Sequence, residues 1–72
     1  MNFQERLKQA IKAKGYTALK AAKKSGLSIS TLRNWIYGKS EPTLFGLMCI
    51  SKALDVSIDW LVWGNEQWNK QN

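Results

Sequence analysis

Glycine 26 divides a stretch of twenty residues, ALKAAKKSGLSISTLRNWIY from Ala18 to Tyr37, into two segments that each read as a short helix. Thr17 is an N-cap for the first, which spans Ala18 to about Ser25 with Leu19 and Ala22 facing inward; Ser28 caps the second, and Gly38 suits the position that ends it. Gly26 marks a sharp turn with positive φ, which glycine adopts at little steric cost. Two short helices cross steeply only where small side chains let them approach, and Ala21 and Ala22 supply these, with Leu27, Leu32 and Trp35 filling the wedge. At about 100° per residue, the second helix puts Leu32, Trp35 and Ile36 on one side and Ser30, Arg33, Asn34 and Tyr37 on the other. One face packs, and the other is left to meet a partner.

The outward side chains are a hydroxyl, an amide and a guanidinium, groups that hydrogen-bond to base edges and phosphates, so double-stranded DNA is the expected partner. The spacing of Ala22, Gly26 and Leu32, extended by Pro42, Leu54, Val56 and Leu61, resembles the helix-turn-helix domain of the lambda-repressor-like family, of the XRE and phage-repressor type. The closing run VSIDWLVWG is similar to the end of that domain in phage repressors, and the resemblance covers about residues 3 to 64.

The resemblance implies an all-α, compact five-helix fold in which the second helix of the pair enters the major groove. Carried over by position, the base contacts are Ile29, Ser30, Thr31, Arg33 and Asn34. Arg33 could read guanine and Asn34 adenine, or either could touch phosphate; Ile29 could meet a thymine methyl or extend the core. Phosphate contacts fall to Thr17, Ala18, Lys20, Tyr37, Lys39 and Ser40, the loop from Gly38 to Ser40 laying its amides and a lysine along the backbone. Two positions depart from the family. Ala18 stands where a glutamine commonly helps the helix N-terminus hold a phosphate, and Ile36 where many members carry glutamate. The family also implies a homodimer on DNA, with Trp60, Val62 and Trp63 as the self-complementary surface; the alternative is that Trp60 and Leu61 close the core.

The rest of the chain fits one small domain. Asn2 and Glu5 form a capping box for a first helix from Phe3 to about Lys14, whose apolar stripe is Phe3, Leu7, Ala10 and Ile11. A fourth helix runs from Leu44 to Leu54 behind the cap Thr43, with Leu47, Ile50 and Leu54 as its main core residues. Phe45, Met48 and Cys49 widen its apolar surface, and Gly46 in its interior points to a close helix approach. A fifth spans Ile58 to Trp63 behind Ser57. The domain is therefore assigned to residues 1–64 and a polar, mobile tail or start of a linker to residues 65–72, in which Trp68 has no assigned role.

Charge separates the two halves. Through Lys39 nine basic residues face Glu5 alone, a net of +8, and from Ser40 onward Lys52 and Lys70 face four carboxylates, a net of −2. The anion-attracting field belongs to the half that holds the paired helices. With one cysteine and no histidine, the sequence has neither a disulfide framework nor a Cys/His metal set, and a reducing cytoplasm is the expected location. Cys49 reads as a small buried hydrophobe. There is no carboxylate pair beside a nucleophile and no phosphate-cradling glycine loop, so neither catalysis nor a cofactor is expected. The expectation is a dimeric transcriptional regulator on an inverted-repeat operator. A protein-interaction module or antitoxin-like regulator, working through the apolar surface of the last two helices, is the alternative.

Overall fold

In the computed structural model, which describes residues 2–64, five helices succeed one another: α1 Phe3–Ala13, α2 Ala18–Ser25, α3 Ile29–Ile36, α4 Leu44–Leu54 and α5 Ile58–Trp63. None of the described residues is in a strand. The tail assigned to residues 65–72, with Trp68, lies outside the described residues.

Each helix is short, and isolated helices below about 12–15 residues are marginal in water. Two devices hold them. The first is capping: Asn2, Thr17, Ser28, Thr43 and Ser57 each accept a hydrogen bond from the backbone amide three residues on, at 2.9–3.2 Å, each worth about 1 kcal/mol. At α1 the Glu5 carboxylate returns the contact to the Asn2 amide at 3.5 Å, completing the capping box. The second device is a shared core. Leu7, Leu32, Ile50 and Leu61 are its fully buried large side chains, joined by Ala10, Ile11, Ala21, Ala22, Trp35 and Leu54. Burying each large one contributes about 1.5–3 kcal/mol.

Packing follows the small residues. α2 lies against α3 and α4, α1 against α3 and α5, and α4 against α5. Both Ala21 and Ala22 are buried, as expected where helices pack closely. Leu19, expected to face inward, is instead half exposed. The two alanines take the inward face of α2, and Leu19, about 200° round from Ala21 and about 60° from Ala22, falls at the edge of that face. On α4, Ile50 and Leu54 are buried while Leu47 and Cys49 are half-buried, so the cysteine is less enclosed than expected. Leu44, Phe45 and Met48 are 71, 73 and 52% exposed, and the surplus apolar surface of α4 stays on the outside.

Candidate nucleic-acid interface

The turn between α2 and α3 is built around Gly26, which adopts φ 77° and ψ 12°. Its amide reaches the Lys23 carbonyl, and the Leu27 amide donates to the Ala22 carbonyl at 3.0 Å, closing the end of α2. The chain is then free at Ser28 to begin α3, whose core face is Leu32 and Trp35, the latter 3% exposed. Ser30, Arg33, Asn34 and Tyr37 are exposed together on the opposite face, as expected. The remaining two α3 candidates sit differently. Ile29 is half-buried and packs on the core. Thr31 is half-buried, and its hydroxyl accepts a hydrogen bond from the Ser28 hydroxyl at 2.8 Å, which ties it to the cap.

At the start of α2, Thr17 is exposed and Ala18 is half-buried against the core. The Lys20 ammonium lies 5.2 Å from the centre of the Tyr16 ring. The loop after α3 differs from the expectation. Both the Lys39 and Ser40 amides turn inward to the Asn34 carbonyl, at 2.8 and 3.4 Å, because the last carbonyls of a helix need donors. The Lys39 and Ser40 amides expected to line a backbone are therefore engaged, while both residues are exposed.

Electrostatics distinguishes these elements from the others. α1 and α5 carry Glu5 and Asp59 in their first turns, where a carboxylate complements the positive end of the helix dipole. α2, α3 and α4 have no acid in the first turn.

At the far end of the chain Trp60 packs half-buried on the core, Val62 is half-buried and Trp63 is 75% exposed. A shallow groove lined by Phe3, Gln4, Ser40, Glu41, Pro42 and Val62 brings the loop after α3 beside the end of α5. Arg6 holds that end in place. Its side chain is 7% exposed and donates from Nε to the Leu61 carbonyl at 2.8 Å and from Nη2 to the Val62 carbonyl at 2.7 Å. Sequence reasoning counted Arg6 into the anion-attracting field and missed this role. The signal was its position, three residues after Phe3 and four before Ala10, on the inward stripe of α1.

Five short helices around one core, with an αL glycine joining a buried-alanine helix to a helix that turns its polar face outward, define a helix-turn-helix protein. The chain belongs to the helix-turn-helix family, whose model matches residues 7–61. It is 36% identical over 66 residues to the HTH-type transcriptional activator BcrR of Enterococcus faecalis, an alignment covering 92% of this chain and 32% of that protein. An uncharacterised HTH-type transcriptional regulator of Haemophilus influenzae is 34% identical over 64 residues, covering 88% of this chain and 26% of its own. The chain thus spans about a third or less of the curated relatives it matches. Among solved structures, the P22 c2 repressor in complex with a synthetic operator superposes with a TM-score of 0.84 at 28% identity, over 90% of this chain and 98% of that one. The N-terminal DNA-binding domain of SinR from Bacillus subtilis gives 0.79 at 33% identity, over 82 and 87%. No helix among the described residues is long and apolar enough to cross a membrane.

Proposed function

We propose that this chain is the sequence-specific, double-stranded DNA-binding domain of a transcriptional regulator of the phage-repressor type, acting as a dimer on an inverted-repeat operator. The observation that carries the reading is the division of α3, with Leu32 and Trp35 buried and Ser30, Arg33, Asn34 and Tyr37 outward. Arg33 and Asn34 supply base readout, and Ser30 accepts or donates beside them. Thr17, Lys20, Tyr37, Lys39 and Ser40 contribute positioning contacts without sequence content, and the start of α2 at Ala18 adds backbone amides. The likeness to a repressor solved with an operator supports this reading. The mechanism is occupancy of a promoter by two recognition helices in successive major grooves, about 34 Å apart.

Selection from a random duplex pool tests it. Enrichment of an inverted repeat with half-sites about one helical turn apart is the expected result. Steeply salt-dependent binding without enrichment would reduce the function to non-specific attachment, and no binding at moderate salt would defeat it. A second reading, a protein-interaction surface, is favoured by one observation: Leu44, Phe45, Met48 and Trp63 are each more than half exposed.

A further inference from the structure

The first turn of α2 contains no acid and instead carries Lys20. A lysine at this end of a helix opposes the dipole, so the chain holds a cation where helix electrostatics disfavours one. Its position is not left to chance. Long side chains on a helix lean toward its N-terminus, and the Lys20 stem runs back so that the ammonium rests 5.2 Å from the centre of the Tyr16 ring. Tyr16 is itself fixed: it is half-buried, packs against the core, and its amide donates to the Ile11 carbonyl at 3.1 Å. An arrangement that breaks a local stability rule is expected where function uses it.

We propose that Tyr16 is a positioning residue for DNA binding, its ring holding the Lys20 ammonium at the start of α2 for a backbone phosphate. The inference rests on the DNA-binding reading above. Its physical basis is preorganisation. A solvated lysine loses rotamer freedom when a phosphate immobilises it, whereas one already seated on a ring has less to lose, and the face of the ammonium away from the ring stays open to an anion. The Ala18 methyl offers no donor at this place, so the side-chain contributions there come from the Thr17 hydroxyl and from Lys20, with Lys23 and Lys24 lining the same pocket.

The test is a double-mutant cycle on binding to a mixed-sequence duplex of about two helical turns, followed across salt. Lys20→Ala is expected to weaken binding and flatten the salt slope by about one unit. Tyr16→Leu is expected to weaken it about two- to fivefold while Lys20 is present and to have no further effect in Lys20→Ala; Tyr16→Phe, which keeps the ring, retains wild-type affinity. A second measurement uses the unaltered protein: the Lys20 Hε protons should be shifted upfield by the ring current of Tyr16. Equal losses from Tyr16→Leu in both backgrounds would make Tyr16 a core residue only, and an unshifted Lys20 signal or an unchanged salt slope would also overturn the proposal. Failure of the unaltered chain to bind any duplex would instead remove the DNA-binding reading on which it rests.

Discussion

Arg33 and Lys39 are both exposed cations near the same helix end, and the proposed function gives them different work. Arg33 projects from the outward face of α3 beside Asn34, where a planar guanidinium can read guanine in two bonds. Lys39 sits in the loop, its amide engaged by the Asn34 carbonyl at 2.8 Å, and only its ammonium is available as a point charge. Arg33→Ala is therefore expected to relax discrimination at one base position, by about 1–3 kcal/mol. Lys39→Ala should weaken binding to all sequences alike and reduce the salt slope by about one unit. Affinities for a selected operator and its single-base variants, measured at several salt concentrations, separate the two. Identical behaviour would end the division into reading and positioning contacts.

Helices were the most legible part of this sequence, because caps and periodicity act locally. Asn2, Thr17, Ser28, Thr43 and Ser57 mark the five starts, and all five bond as caps. The outward face of α3 was legible for the same reason. Facing was harder where it depends on what lies opposite: Ala21 and Ala22 take the buried side of α2 and Leu19 is left half exposed, and the loop amides turn in to serve Asn34. Arg6 escaped notice because its carbonyl partners lie 55 and 56 residues away. Gly46 shows the opposite case, a single residue that announced a tertiary contact. A Cβ there would overlap Cη2 of the Trp35 ring and stand 2.8 Å from Cζ2, and the Thr43 hydroxyl that caps the helix lies 3.0 Å away. Trp35 is held in the core and has nowhere to yield. Gly46→Ala gains about 1 kcal/mol of helix propensity, but overpacking costs about 1–3 kcal/mol. Urea unfolding is expected to show a lower midpoint with unchanged slope; a raised midpoint would mean that α4 can slide away from α3.

The domain measures 33 × 22 × 20 Å and turns the polar face of α3 outward. Successive major grooves on one side of a duplex recur about every 34 Å, so one copy fits one half-site, and reading two requires a second copy rather than a second surface. In the proposed dimer, the apolar end of α5 is the candidate joining surface. Its three candidates are not equal as probes, since Trp60 packs on the core and Val62 is half-buried in the groove it lines with Phe3 and Pro42, so changing either disturbs packing. Trp63 is 75% exposed, and its removal takes little from the core. Trp63→Ser should leave thermal stability within about 0.5 kcal/mol of the unaltered chain. On a duplex with two half-sites, loss of a tryptophan anchor is expected to lower affinity about tenfold or more, while affinity for a single half-site stays unchanged. Equal losses on both duplexes would place Trp63 in the DNA contact or the fold, and no loss on either would move the joining surface elsewhere, with the exposed Leu44, Phe45 and Met48 of α4 the next to test. The comparison isolates the pairing because both duplexes present the same bases and phosphates to each copy and differ only in whether a second copy stands beside it.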